Sequence, residues 1–227
     1  LGREYLKNQY DPAKDPDKIL TLESNRNYHI MAPLSTSVVL FNDPTDRTDP
    51  DNPIVKTFEN VTLTTEGNFD ANSFIEFYTT EQLTLSLVNS NLAIQISTNK
   101  SVKAKLKDTH LTIFVESENT TNTPELELDN STVIIKSPSV GQLFSLKKAI
   151  NSKIFVSGSA VVEVASTVDW NGSSEIHLDG STQLRIPQSI LGLAGSNLPM
   201  IYLHSDSTTV VDTSGTSIAN NIKLRIR

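Results

Sequence analysis

A chain of 227 residues with a formal net charge of −7 fits one large domain and leaves little room for a second. The acidic balance argues against nucleic acid, whose binding rests on Lys and Arg neutralising phosphates, and against an anionic membrane surface. Cys is absent, which excludes disulfides and thiolate metal sites, and no apolar run is long enough to span a bilayer.

The opening segment, 1–18, differs from the rest of the chain. Leu1, Tyr5 and Leu6 can share one face of a short turn of helix that Asp11–Pro12 would end. It reads as a loosely ordered leader, or as a docking arm anchored by Tyr5 and Tyr10. No signal-peptide pattern opens the chain, and a start on Leu1 reads as a mature form or a fragment of a longer protein. Short strands are expected at Ile19 to Leu22 and Ser37 to Phe41. The next loop, 43–53, carries three prolines, which prevent both helix and ladder pairing.

From Ile54 onward one phrase recurs: apolar–polar–apolar, a small polar corner, then apolar–polar–apolar again. It is plain in Leu126 to Lys136 (LELDNSTVIIK) and in Glu175 to Ile186 (EIHLDGSTQLRI). Aligning the corners on Glu59, Asn89, Asp108, Asp129, Ser157 and Asp179 gives successive spacings of 30, 19, 21, 28 and 22 residues. The two long spacings are accounted for by insertions at 66–78 and 138–149. Coils of nearly constant length with occasional bulging loops indicate a solenoid.

Alternation places Leu85, Leu87, Leu92, Ile94 and Ile96 inward, with Leu126, Leu128, Val133 and Ile135 in the same columns. Corners draw on residues that tolerate turn dihedrals, such as Asn89-Ser90, Asp108-Thr109, Asp129-Asn130 and Asp179-Gly180. The expected fold is therefore all-β, a single-stranded parallel β-helix over 19–227 with loop insertions at 43–53, 66–78, 138–149 and 187–200. The alternative is an antiparallel sandwich or jelly roll, for which Asp179-Gly180 is a hairpin signal.

The phrases LELDNSTVI and IHLDGSTQL resemble the coils of right-handed, pectate-lyase-like β-helices. These modules occur in bacterial surface adhesins and in phage tail and fibre proteins. The likeness covers roughly Ile54 to Ile186 and concerns the fold. It implies an extracellular module, on a virion or a bacterial surface, that meets cell-surface glycan or other surface proteins through its inserted loops. A homotrimer is the assembly that fibre-type β-helices imply. Fold does not carry function, so activity must be sought in the residues.

Polysaccharide cleavage is the first chemistry to test. A lyase needs a cation to hold the charge developing beside a uronate, and between Ile54 and Asn221 the only Arg is Arg185. A hydrolase needs two carboxylates across the scissile bond. Asp108, Asp129 and Asp179 could align along the coils, although Asp is also simply a good corner residue. Trp170 could stack on a sugar or pack beside a neighbouring coil. These four are the candidate ligand contacts, and no catalytic residue is assigned. Asp43, Asp46, Asp49 and Asp51 supply the hard oxygens that Ca²⁺ prefers, in a loop that a solvated acidic excursion explains equally well. No other cofactor is implied. His29, His110, His177 and His204 show no metal-binding spacing, and the sequons at Asn60, Asn99, Asn119, Asn130 and Asn171 are what such a composition yields by chance. The expectation is a non-catalytic structural and adhesive module, with a polysaccharide lyase or glycoside hydrolase as the alternative.

Overall fold

The computed structural model describes residues 24–30, 38–40, 54–60, 62–65, 75–77, 83–96, 102–115, 123–137, 142–191, 198–218 and 225–226. The segments 1–18 and 43–53, with the leader and the acidic loop read from them, lie outside the described residues. So does the strand expected at Ile19 to Leu22.

The chain forms β1 (Asn27–Ile30), β2 (Val38–Leu40), β3 (Ile54–Glu59), β4 (Thr62–Thr65) and β5 (Ile75–Phe77). Five regular coils come next: β6 (Leu83–Val88) with β7 (Asn91–Ile96), β8 (Val102–Lys107) with β9 (His110–Val115), β10 (Glu125–Asp129) with β11 (Thr132–Ser137), β12 (Leu143–Ile150) with β13 (Lys153–Gly158), and β14 (Val161–Trp170) with β15 (Glu175–Leu178). Then come β16 (Gln183–Ile186), a four-residue helix α1 (Gln188–Leu191), β17 (Met200–Leu203), β18 (Thr209–Asp212) and β19 (Arg225–Ile226).

Every pairing between these strands is parallel, and the strands sort into two sheets. One runs β1-β4-β7-β9-β11-β13-β15-β17-β19 with β2 and β5 at its side, the other β18-β16-β14-β12-β10-β8-β6-β3. The chain alternates between them, which makes a parallel β-solenoid and excludes the antiparallel sandwich. Asp179-Gly180, the hairpin signal, instead turns the chain from one sheet to the other.

The core lies between the sheets. Leu85 and Leu87 from β6, Leu126 and Leu128 from β10, and Val133 and Ile135 from β11 are all buried, with Phe144 the largest fully enclosed side chain among the described residues. Their neighbours in β10 and β11 are partly or fully exposed, the period-2 pattern of a sheet with one dry face. On the outer face of the shorter sheet, Lys103 and Lys105 meet Glu125 and Glu127 at 3.5 and 3.8 Å, and Lys147 reaches Glu125 at 3.8 Å. Exposed pairs of this kind contribute at most about 1 kcal/mol each. Their effect is to favour one neighbour per coil.

The corner joining the shorter sheet to the longer is built on left-handed residues. Asn25, Asn60, Asn89, Asp108, Asn130 and Asn151 have φ between 47° and 60°. Asn and Asp are the side-chain-bearing residues that best tolerate this region. Immediately after them stands a buried hydroxyl column. The backbone N–H of Ser90, Thr109, Ser131 and Ser152 each donates to the hydroxyl one coil later, on Thr109, Ser131, Ser152 and Ser174, at separations of 19, 22, 21 and 22 residues. Those hydroxyls donate in turn to backbone carbonyls, as Ser131 Oγ does to Asp129. Backbone groups that a turn would leave orphaned are thereby satisfied coil by coil.

This column corrects the corner alignment. Glu59 and Asp129 stand one residue before the left-handed position, while Ser157 and Asp179 belong to the opposite corner, where Gly158 and Gly180 carry the positive φ. The apparent 28-residue spacing came from mixing the two corners. The insertion assigned to 138–149 is likewise corrected: Leu143–Ile150 is β12, a strand of the shorter sheet with Phe144, Leu146 and Ala149 in the core. The pair Lys147-Lys148, which disguised the alternation, marks a bulge where one extra residue enters β12 against β10. Within 66–78, Ile75–Phe77 forms β5 and pairs with β2. Between β16 and β17 the chain leaves the coil through α1, whose Ile190 is buried.

The end of the shorter sheet is closed locally. Val211 bridges Ser217 in antiparallel fashion and Ile218 N–H donates to Val210 O, so the chain folds back along the edge strand β18. Asp212 holds that turn. Its Oδ1 accepts from the Ser214 hydroxyl and from the N–H groups of Ser214 and Thr216, and its Oδ2 accepts from Gln188 Nε2.

Candidate functional site

The outer face of the longer sheet becomes aromatic towards its β17 end. Parallel register sets Ile134, Phe155, His177 and Tyr202 in one column across β11, β13, β15 and β17. The Phe155 and His177 rings stack at 4.5 Å between centroids, and His177 and Tyr202 at 4.4 Å. The imidazole is thus held between two larger rings. Both faces of the His177 ring are covered in this way, which leaves its two nitrogens at the edge for hydrogen bonding.

Beside it, Glu175 Oε2 lies 3.1 Å from His177 Nε2, and His177 Nδ1 lies 2.8 Å from His204 Nε2. The tautomers follow from chemistry. An ionised carboxylate only accepts, so His177 Nε2 carries the proton. A neutral His177 then presents a lone pair at Nδ1, and His204 Nε2–H donates to it. The hydrogen bond from His177 is the main cause that holds the Glu175 carboxyl below its usual range, aided by Lys153 at 3.8 Å and opposed by partial burial.

His204 also lines a cleft of about 650 Å³, together with Asp179, Leu203, Ser205, Asp206 and Thr208. It is formed where the second corners of two successive coils meet. Two carboxylates, an imidazole and two hydroxyls face one opening, with Leu203 as its apolar contribution. Asp179 Oδ1 accepts from the N–H of Gly180, which fixes that carboxylate at the corner.

Of the four sequence candidates, only Asp179 reaches this cleft. Asp108 is a left-handed corner residue whose Oδ1 accepts from Asn130 Nδ2 at 2.7 Å. Asp129 ends β10 on the same side of the coil, displaced by one residue. Trp170 ends β14 opposite Ala149 and packs half-buried against the core. The three aspartates therefore do not form one line. Asn60, Asn130 and Asn171, three of the sequon asparagines, commit their amides to neighbouring corners. The acidic loop with Asp43, Asp46, Asp49 and Asp51 lies outside the described residues. Among the described residues, no three His, Cys, Asp or Glu side chains converge on a metal position.

The His177–His204 pair was not apparent from spacing. Aligning EIHL (Glu175 to Leu178) on MIYL (Met200 to Leu203) would have set His177 on Tyr202, with His204 next in line. The excursion between β16 and β17 hid that register.

No family model matches the chain, and no match is found among the curated proteins or the solved structures. No helix among the described residues is long and apolar enough to cross a membrane.

Proposed function

We propose that the chain is a non-catalytic structural and adhesive β-solenoid module of a phage virion or a bacterial surface, and that it holds a neutral glycan in the cleft at His204. The observation that carries this reading is the lining of that cleft beside a rigid ring column. Carboxylates accept from pairs of sugar hydroxyls, the Ser205 hydroxyl can donate or accept, Thr208 Oγ1, whose proton goes to Ser205 O, can accept, and Leu203 offers a surface to sugar C–H groups. Two carboxylates at the opening disfavour acidic glycans by like charge. The scaffold supports the role, because stacked coils hold both corners in place without needing the ligand.

The test is binding to a panel of neutral and acidic oligosaccharides, with reducing ends and unsaturated-uronate absorbance followed in parallel. Binding of a neutral member that falls at least about tenfold in Asp206→Ala, without product formation, supports the reading. The absence of any binding, or a loss of binding that Asp129→Asn shows equally, defeats it.

One observation favours the rival reading of a lyase or hydrolase. Asp179 and Asp206 line the same opening, as a pair of glycosidase carboxylates would. Product formation abolished by Asp179→Asn or Asp206→Asn, with the fold intact, would replace the adhesive reading with the enzymatic one.

A further inference from the structure

We propose that His177 and His204 form a proton-counting latch on the wall of the cleft, closed while the pair carries at most one positive charge and open when it carries two. The significance for ligand rests on the glycan-binding proposal; the latch itself does not.

Donors and acceptors decide how the pair takes up charge. At 2.8 Å, Nδ1 of His177 and Nε2 of His204 must share a single proton. With both rings neutral, the order is Glu175 carboxylate, His177 Nε2–H, His177 Nδ1 lone pair, His204 Nε2–H, and every group is matched. A first added proton fits at His204 Nδ1, the ring nitrogen outside the pair. It leaves the shared hydrogen bond in place and makes it charge-assisted, with Glu175 as the distant counter-charge. A second proton can enter only at His177 Nδ1. Two N–H groups then face each other across 2.8 Å, and the contact cannot persist.

His177 is not the ring that moves. It is clamped between Phe155 and Tyr202 and tied to Glu175. His204 is exposed and comes directly after the last residue of β17, so it swings. Because His204 lines the cleft, its departure changes that wall.

Among the described residues, the charges around the pair are few. Glu175 and Asp179 come from β15 and its corner, and Lys153 from β13 faces Glu175. On the other side are the Tyr202 hydroxyl and, across the cleft, Asp206. Lys136 of β11 lies over Phe114 and not over this pair. Arg225 of β19 meets the backbone of Met200. Among the described residues, Lys153 is the one Lys or Arg in ion-pair contact with Glu175, so the carboxylate remains available to the imidazoles as they charge.

The experiment uses the full chain, free of ligand, labelled with ¹⁵N in its imidazoles. At pH 7.5, NMR should show a scalar coupling across the hydrogen bond between His177 Nδ1 and His204 Nε2. Lowering the pH to 4.5 should abolish it while core methyl resonances stay in place. His204→Gln, whose amide can donate or accept, should keep Tyr202 ring-proton positions nearer their neutral values at pH 4.5 than the native chain does. Absence of the coupling at pH 7.5, or its survival at pH 4.5, overturns the latch. A neutral oligosaccharide that binds at pH 7.5 should bind about tenfold more weakly at pH 4.5 to the native chain, and with a flatter pH ratio to His204→Gln. If no oligosaccharide binds at all, the adhesive reading falls and the latch is still decided by the coupling.

Discussion

Asn130 Nδ2 donates to Asp108 Oδ1 across one coil, at 2.7 Å. The same donation, from amide to the preceding coil's oxygen, links Asn60 to Asn25, Asn89 to Asn60 and Asn171 to Asn151. At Asp108 the series is interrupted, because a carboxylate has no N–H to give to Asn89. Asp108→Asn restores a donor there and keeps a residue type that tolerates the left-handed φ of 50°. The expected outcome is stabilisation by about 0.5–1.5 kcal/mol, the usual worth of one hydrogen bond. Chemical denaturation checks it, and a loss of stability would show that the charge at this corner matters more than the ladder.

At the opposite corner the limiting factor is space. A Cβ on Gly180, at φ +65°, would stand 2.8 Å from the carbonyl oxygen of Gly158 in the coil below. Backbone cannot yield as a side-chain tip can. Gly180→Ala should therefore cost more than the roughly 1–2 kcal/mol that positive φ alone imposes. Gly215→Ala, at φ +85° with open space around the new atom, should cost only that strain. Equal midpoints in thermal melts of the two variants would contradict the stacking of the glycine corners.

Thr182 is fully enclosed, and its hydroxyl finds no hydrogen-bond partner among the described residues. A buried, unmatched hydroxyl costs about 1–3 kcal/mol relative to a matched one. Thr182→Val keeps the shape and removes the polar atom. The variant should be more stable by about 1 kcal/mol, measured by urea unfolding. Destabilisation would mean that the hydroxyl is satisfied in solution.

Acid should act on the fold-back at β18 later than on ordinary carboxylates. The Ser214 hydroxyl first, then the N–H of Thr216, hold the Asp212 carboxyl below its ordinary value of 3.8, with burial opposing them. A depressed carboxyl contributes its stability above the unfolded value and loses it as the pH falls through the folded one. Protection of the amides in residues 213–218 against exchange, taken relative to the intrinsic rate at each pH, should persist down to about pH 3.8 and fall below it, whereas Asp212→Ala should lack that protection at every pH. An opening that begins well above about pH 4 in the native chain would contradict the role of Asp212.

The inward columns were legible because alternation of period two has one physical cause, a sheet with one dry face. Leu128, Val133 and Ile135 could be placed with no knowledge of the turns between them. The corners were legible only as a class. Asn-Ser and Asp-Gly both signal a bend, but one uses left-handed Asn over a buried hydroxyl and the other uses stacked glycines. Treating them as equivalent misplaced Asp179 and turned the strand at Leu143–Ile150 into a loop. The ring column was not legible, because the register of β17 on β15 is set after an excursion whose length carries no periodic signal. Two histidines 27 residues apart give no motif, and their contact exists only once Ile176 stands beside Ile201.

The buried hydroxyl column has a further consequence. Each of its members offers the same donor and acceptor to the coil above and to the coil below, so a coil does not identify its neighbour through this contact. Excising residues 109–130 would bring Ser131 directly after Asp108 and place its hydroxyl beneath the N–H of Ser90, where Thr109 now stands. A gene encoding such a chain can lengthen or shorten by whole coils, leaving the hydroxyl column unbroken. Only features that differ from coil to coil, such as the Lys–Glu pairs and the ring column, keep count of position along the solenoid.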